Sequence, residues 1–323
     1  MRVDGQRAER HQDLLERGRT RGALRGPRFE RRSHGLYRRA GVDLGVVDAR
    51  VDDAVGLLLP GSALGGWAAL RLQGNDFFDG WSPSGVRRAL VHCLPGTQLR
   101  RRDAVEPFRG LVHPDELLHL EGVAMATPAR AVFDEARLAR TLTGAVVAMD
   151  MALSTTHGRP RTTPAALSLV IGSHHKVRGI VRARRALSLA STRSASPAES
   201  AVRMMARAAG LTKLLVNAPV FSPFGELLGV ADLFDPETGL VIESDGSDHR
   251  EAGQHAEDNR REERFERHGA VVCRVSGPDH ARPFETQARM VAAQVQAKRS
   301  GIRRWTLDTP AWWADWPAAR RWL

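Results

Sequence analysis

The segment Leu240-Val241-Ile242-Glu243-Ser244-Asp245-Gly246-Ser247-Asp248-His249 joins an apolar run to a group of acids and a histidine. The apolar run predicts a covered β-strand, and the glycine predicts a tight turn at the end of it. Glu243 and Asp245 are two residues apart, so they project from the same face of the strand. His249 follows just beyond the turn. The segment therefore predicts a strand end that gathers several ionisable side chains.

A second strand is expected to bring another carboxylate to the same place. Residues 228–234, Leu-Gly-Val-Ala-Asp-Leu-Phe, predict a strand that a turn connects to the first segment. Opposed residues of such a hairpin have Cβ atoms about 5 Å apart, so Asp232 can lie beside Glu243. Carboxylates this close repel one another unless a cation lies between them. Because carboxylate oxygens are preferred ligands of Mg²⁺ and Mn²⁺, Asp232 and Glu243 predict a metal site, with Asp245 and His249 as further catalytic candidates.

Helices and one further strand flank the predicted hairpin. Ser196-Pro197-Ala198-Glu199 is typical of a helix start, with the serine as N-cap and Glu199 closing a capping box. This capping role alone accounts for Glu199. Downstream, the pattern predicts a charged helix, a buried strand and a further helix, at 255–268, 270–275 and 283–298. The result is an α/β unit (α+β for the whole chain) in which helices flank a mixed sheet.

These elements resemble the very-short-patch-repair-like branch of the PD-(D/E)XK nuclease superfamily over about residues 195–298. The resemblance is carried by a Ser-Pro-x-Glu-Ser helix start, a strand ending in Asp, a Glu-x-Asp-Gly-x-x-His strand end, an Asp-x-x-Arg helix and a Val-Val-x-Arg-Val strand. In that branch the strand-end acids bind Mg²⁺, which activates water for phosphodiester cleavage. The resemblance implies a Mg²⁺- or Mn²⁺-dependent DNA endonuclease, acting in DNA repair or in defence against phage and mobile elements.

The same resemblance implies roles for individual residues. These are Asp232 and Glu243 as metal ligands, Asp245 in the place of the motif lysine, His249 as an accessory acid/base or phosphate contact, Glu199 as the acid of the preceding helix, and Arg261 as the helix cation facing the site. The chain departs from the superfamily pattern because position 245 is not a lysine. His249 or Arg261 would have to replace the cation that steadies the attacking hydroxide.

Two other interpretations of these residues stay open. One is an antitoxin-like DNA-binding regulator that keeps a catalytically inactive nuclease fold, which the missing lysine favours. The other is purely structural, with the acids ion-paired to Arg260, Arg261 and Arg274 and no effect of metal on stability. Asp245-Gly246 by itself is also a common turn dipeptide.

The charge of the chain favours a polyanionic partner. The formal net charge is +11, and only three of the basic residues are lysines. Arginine is the better bidentate ligand for phosphate, so the excess predicts binding to DNA. Biased codon use in a GC-rich genome is the alternative explanation. The charge is concentrated in three clusters, at 17–39, 100–102 and 178–185.

The rest of the chain predicts four further regions. Residues 1–41 are basic, and 24–37 predict a β-hairpin that resembles the wing of the N-terminal winged helix of AbiEi-like antitoxin proteins, of which only the tail is evident. Residues 42–153 predict an α+β region similar to the central part of those proteins. Residues 154–194 predict a linker and basic helices, where Arg182 and Arg185 could follow a phosphate backbone or form a solvated face. Residues 299–323 are rich in tryptophan and predict a tail docked on the body.

Smaller features complete the expectations. Arg130 and Asp134 lie four apart and predict a helix-surface ion pair worth a few tenths of a kcal/mol. His92 is expected near the surface of a strand. Cys93 and Cys273 predict small core residues in a reducing cytoplasm, not a disulfide. No run approaches the ~20 apolar residues of a membrane span, and no signal peptide is expected. A cognate toxin or a homodimer stays open as a partner.

Overall fold

A computed structural model describes residues 7–41, 45–82, 84–156, 160–245 and 252–315, with only the backbone for 252–258. Within these ranges the chain is a mixed α/β protein with twelve α-helices and four sheets. No helix in them is both long enough and apolar enough to cross a bilayer.

The helices and strands are named here in chain order. The α-helices are α1 (His11–Glu16), α2 (Arg21–Arg25), α3 (Val46–Gly56), α4 (Gly66–Leu72), α5 (Pro128–Leu138), α6 (Leu142–Leu153), α7 (Pro164–Ser173), α8 (Ile180–Leu187), α9 (Pro197–Ala208), α10 (Ala252–Arg267), α11 (Pro283–Ser300) and α12 (Ala311–Asp315). The strands are β1 (Glu9–Arg10), β2 (Phe29–Ser33), β3 (Leu36–Arg39), β4 (Ser62–Leu64), β5 (Trp81–Ser82), β6 (Gly85–Val86), β7 (Ala89–Cys93), β8 (Val105–Phe108), β9 (Leu117–Leu120), β10 (Val123–Ala126), β11 (Leu215–Phe221), β12 (Leu227–Phe234), β13 (Leu240–Ser244) and β14 (Val271–Val275).

The chain divides into two compact units. Unit 1 comprises Met1–Ala139 and Arg161–Leu187, and unit 2 comprises Arg140–Pro160 and Ser188–Leu323. Both units are therefore discontinuous in sequence. Helix α6 belongs to unit 2, whereas the two helices that follow it in the chain, α7 and α8, belong to unit 1.

Unit 1 contains two larger sheets. Its first 41 residues form a three-stranded antiparallel sheet in the order β1-β3-β2, with the short helices α1 and α2 between β1 and β2. The predicted basic hairpin is present as β2 and β3. The second sheet has the order β8-β7-β4-β10-β9, with parallel pairs at β7/β8 and β4/β10. Helices α4 and α5 pack together and contribute the fully buried Trp67 and Phe133 to its core.

A buried polar network joins α5 to the second sheet of unit 1. Asp134 is 0% exposed, and its carboxylate lies 3.0 Å from Arg130 Nε, 2.7 Å from Arg137 Nη2 and 2.9 Å from His92 Nε2. Burial raises the pKa of Asp134, but His92 and the two arginines outweigh it and hold that pKa below its ordinary value. The expected surface ion pair of Arg130 and Asp134 is therefore wrong, as is the surface position of His92.

The same network extends to a second buried carboxylate. Glu116 accepts from Arg130 Nη1 at 2.6 Å and lies 2.6 Å from His174 Nε2 on the other side. His174 is 2% exposed and stacks on Phe133 with ring centroids 5.3 Å apart. Helix α5 faces the interior with its charged side as well as its apolar side, so each charge on it needs a partner from another element.

Unit 2 is built on a four-stranded sheet in the order β11-β12-β13-β14. The pairs β11/β12 and β12/β13 are antiparallel, and β13/β14 is parallel. Side chains on one face, such as Ile242, pack with α9 and α11, whereas Val241 and others on the opposite face pack with Phe265 of α10. The predicted order of helix, three strands, helix, strand and helix is confirmed. Cys273 is buried in this unit and Cys93 in unit 1, both as free thiols.

A turn with a structured cap joins β12 to β13. Asp235 accepts from Glu237 N at 2.9 Å and from Thr238 Oγ1 at 2.8 Å, and Gly239 N donates to Asp235 O at 2.8 Å. Gly239 has a φ of +81°, and a Cβ there would lie 2.9 Å from Trp305 Nε1. The turn is therefore tied to glycine both by backbone conformation and by the packing of the tail.

The tryptophan-rich tail docks on unit 2 as expected, as far as the structure describes it. Trp305 packs edge-on against Phe234 with ring centroids 4.8 Å apart, and Trp313 is 1% exposed against Phe221. Thr306 and Phe221 form a β-bridge that fixes the tail beside β11. Trp316 and Trp322 lie outside the described residues.

Asp134→Asn should destabilise unit 1 by about 3–5 kcal/mol, because Arg130 and Arg137 would be left buried with an uncharged partner. Chemical denaturation of the purified protein measures this loss. Asp103 is an exposed acid of the same unit, so Asp103→Asn should change stability by less than about 0.5 kcal/mol. Equal effects of the two substitutions would contradict the importance of the network.

The stability of unit 1 should fall as the pH decreases from about 7.5 to 5.5. Burial lowers the pKa of His174 below its ordinary value, despite the opposing effect of Glu116. The unfolded chain therefore takes up a proton at His174 before the folded chain does, and protonation favours unfolding. Denaturant titrations across this pH range should show a smaller slope for His174→Gln than for the parent. Identical slopes would exclude His174 as a contributor.

Candidate active site at the ends of strands β12 and β13

The two predicted metal carboxylates face each other across neighbouring strands. Leu233 pairs with Ile242, and the same antiparallel register, continued by one residue, sets Asp232 opposite Glu243. Asp232 Oδ2 accepts a hydrogen bond from Ser244 N at 2.7 Å. The side chain of Asp232 thus extends the pairing of the two strands by one hydrogen bond beyond their backbone ladder.

Glu243 is neutralised by an arginine from the covering helix. It is 6% exposed, and its Oε2 lies 2.6 Å from Nη2 of Arg261 on α10. A Cβ at Gly229 of β12 would lie 2.9 Å from Cγ of Arg261 and 2.8 Å from Cζ of Phe265. The glycine therefore leaves the space through which the arginine crosses β12. The resemblance had implied that Arg261 faces this site, and the structure places it there in direct contact with Glu243.

Asp245 belongs to a second ion-pair group at the same strand end. Its N–H donates to Val275 O at 2.8 Å, and its Oδ2 lies 3.8 Å from Nη1 of Arg274. Arg274 stands beside Glu243 in the parallel register of β13 and β14 and also pairs with Glu262 of α10. The arginine of β14 thus lies between an acid of the strand end and an acid of the covering helix.

Glu199 has a structural role at a different strand. Its Oε2 accepts from Ala195 N and from Asn217 Nδ2, both at 2.8 Å, and its own N–H donates to Ser196 Oγ at 3.1 Å. The capping interpretation is supported, although the reciprocal bond goes to Ala195 and not to Ser196. Helix α9 packs on the sheet face opposite the one that α10 covers. Glu199 therefore holds β11, and its recorded bonds do not involve Asp232 or Glu243.

Asn217 is a residue whose role sequence reasoning missed. It lies within the apolar strand β11, has a φ of +46°, and donates from Nδ2 to Arg193 O at 2.6 Å as well as to Glu199. Asparagine tolerates the left-handed conformation better than branched residues do. An asparagine inside an apolar strand run was the available signal.

The remaining candidates lie elsewhere. His249 is outside the described residues. Arg182 of α8 donates from Nη1 to the carbonyl oxygens of Arg137 and Ala139, so it holds the end of α5 within unit 1. Arg185 is exposed on the same helix.

The residues at the strand end fit a hard divalent cation in number and kind. Mg²⁺ keeps several of its waters and is commonly held by one or two carboxylates, which Asp232 and Glu243 can supply. Among the side chains that the structure describes, no group of three or more His, Cys, Asp or Glu residues is arranged to hold a metal. A metal here would rely mainly on water and substrate oxygens for the rest of its coordination.

Comparisons with known proteins do not add a family. No protein-family profile matches the chain, and no curated protein is similar enough to count as a relative.

Arg261→Gln should destabilise unit 2, because it leaves the nearly buried Glu243 carboxylate beside an uncharged partner. Arg261 is 32% exposed, so the expected loss is about 1–3 kcal/mol, between the values for surface and for buried pairs. The effect should largely disappear when Glu243→Gln is already present, which a double-mutant cycle by denaturation measures. Arg260 is exposed on the same helix, and Arg260→Gln serves as the control. Additive losses for Arg261 and Glu243 would contradict the coupling.

Proposed function

We propose that unit 2 is a Mg²⁺- or Mn²⁺-dependent endonuclease of the PD-(D/E)XK type that hydrolyses phosphodiester bonds of DNA. The observation that carries the proposal is the juxtaposition of Asp232 with Glu243 at one end of a mixed sheet flanked by helices on both faces. A strand-end pair of carboxylates, one of them nearly buried, costs stability unless a cation is close. The resemblance of residues 195–298 to that superfamily supports the same chemistry.

In this proposal Asp232 and Glu243 hold the divalent ion. When bound, the ion would polarise the scissile phosphate and activate water as the nucleophile. Glu243 is oriented by Arg261 at 2.6 Å, and Asp232 by the N–H of Ser244 at 2.7 Å, so both carboxylates are aimed before substrate arrives. Arg261 also places a positive charge beside the reacting phosphate, a role that a lysine at position 245 serves in the superfamily.

A specific balance of charges supports a cation at this site. The four carboxylates named at the strand end and on α10 belong to Asp232, Glu243, Asp245 and Glu262, and the two guanidiniums to Arg261 and Arg274. The acids exceed the arginines among these six described side chains. A divalent ion would offset that excess and would also attract the phosphate backbone, which the acids alone repel.

A second function is favoured by the same ion pairs. In a DNA-binding regulator with an inactive nuclease fold, Arg261 would replace the metal permanently and Asp245 would stand where the catalytic lysine is missing. The pairing of Glu243 with Arg261 and of Asp245 with Arg274 is the observation that favours it.

Nicking of supercoiled plasmid in Mg²⁺ or Mn²⁺ tests the proposal. Asp232→Asn and Glu243→Gln keep the size of each side chain, so they should abolish metal-dependent nicking while the protein stays folded. Glu237 is an exposed acid of the same hairpin, and Glu237→Gln should cut as well as the parent. Titration of Mn²⁺ followed by calorimetry provides a readout apart from cleavage, and both site variants should lose binding.

The two functions differ in these measurements. Nicking that survives in both site variants would show that the assigned carboxylates are not catalytic. A folded parent that neither nicks DNA nor binds Mn²⁺ would overturn the nuclease proposal in favour of the regulator.

A further inference from the structure

Two adjoining cavities of unit 1 form one basic groove. The first has a volume of about 520 Å³ and is lined by Arg10, His11, His34, Arg100 and Arg102, among others. The second has a volume of about 530 Å³, and its lining includes Arg25, Phe29, Arg31 and Tyr37. Because His11, His34 and Gly35 line both, the cavities are continuous. They bring together two arginine clusters that lie some seventy positions apart in the chain.

The groove is positively charged along its whole length. Five arginines and two histidines line it, and the described lining residues include no aspartate or glutamate. Arg10 experiences the like charge of Arg102: burial lowers the pKa of Arg10, Asp13 raises it, and Arg102 lowers it further. Guanidinium groups held near one another without a carboxylate between them are stabilised by a bound anion.

The walls of the groove are fixed by hydrogen bonds. Arg10 donates to the carbonyl oxygens of Gly56, Leu57 and Leu58 at the end of α3. Arg102 donates from Nη1 to His34 O at 2.7 Å, which ties the segment after β7 to the β2–β3 turn. These bonds hold both clusters in place before any ligand binds.

Other arginines of the groove keep their donors available. Arg25 and Arg100 are exposed, and their guanidiniums have no ion pair or hydrogen bond to any residue that the structure describes. Arg31 bonds only weakly within its own hairpin, to Ser33 O and the ring of His34, both at 3.3 Å. A guanidinium presents a planar fork of donors that matches the oxygens of a phosphate.

We propose that this groove binds the phosphodiester backbone of a nucleic acid, with Arg25, Arg31, Arg100 and Arg102 contacting successive phosphates. The charges are spread over two cavities, which suits a chain of phosphates better than one small anion. Phe29 and Tyr37 line the second cavity beside the arginines, so a sugar or base can pack on an aromatic ring there. The groove belongs to unit 1, and the proposal does not depend on catalysis in unit 2.

Fluorescence anisotropy of the full chain with labelled oligonucleotides tests this groove. The measurements are made in EDTA, so that the outcome is independent of any metal-dependent cleavage, and at several salt concentrations. Arg25→Gln/Arg100→Gln should weaken binding by about tenfold or more at low salt and reduce the slope of log K against log[salt] by about two. Arg267→Gln/Arg299→Gln removes the same charge from exposed positions of unit 2 and should leave both quantities close to the parent values.

The ligand is identified by parallel titrations with duplex DNA, single-stranded DNA and RNA, and by competition with ATP. Tighter binding of any one polymer with increasing length supports the groove and names its source of phosphate. Binding that ATP displaces fully at matched ionic strength, with no dependence on oligonucleotide length, would mean a small nucleotide ligand and would overturn the proposal. Equal affinity and salt slope for the groove variant and the control would overturn it as well. Unchanged thermal unfolding of the two variants ensures that the comparison is between folded proteins.

Discussion

The neutralisation of buried carboxylates by arginine is the constraint on which both units depend. In unit 1, Asp134 is completely buried and is held by two arginines of its own helix, and Glu116 shares one of them. In unit 2, Asp150 of α6 lies 2.6 Å from Arg203 of α9, and burial raises the pKa of that acid. Each pair fixes the position of an element, because removing either partner would leave a charge in the interior. In a chain with three lysines, the planar guanidinium performs this role in the interior as well as at the surface.

The same constraint decides the character of the candidate site. Glu243 is nearly buried, so a cation must accompany it whether or not a metal binds, and in the structure that cation is Arg261. An enzyme would share the carboxylate between the arginine and the metal, whereas a regulator would keep the arginine alone. The difference between the two functions is therefore a difference in which positive charge the buried acid meets, and the fold of the strand end is compatible with both. The excess of acids over arginines at this end favours the enzyme.

Much of unit 2 could be predicted from sequence because its signals are local. Strand alternation, the Asp235–Gly239 turn and the Ser196 cap each act over a few residues, and the register that sets Asp232 opposite Glu243 follows from a short hairpin. The network around Asp134 could not be predicted in this way. Its partners His92 and Glu116 come from other strands, and a charged helix face looks solvated until the element that covers it is known. The basic groove was visible only as separate arginine clusters, since Arg102 reaches the hairpin through the tertiary structure.

The interruption of unit 1 by α6 has a consequence for how the protein is made. Helices α7 and α8 complete unit 1, and α7 is followed at once by His174, which supports Glu116 from a position 58 residues later in the chain. When the ribosome has released only the first 139 residues, the interior of α5 has its arginines and acids but not this histidine, nor the helices that cover it. Cotranslational folding of unit 1 must therefore wait until about residue 187 has emerged. By then α6, the first piece of unit 2, has already been synthesised and must remain without its partner helix α9.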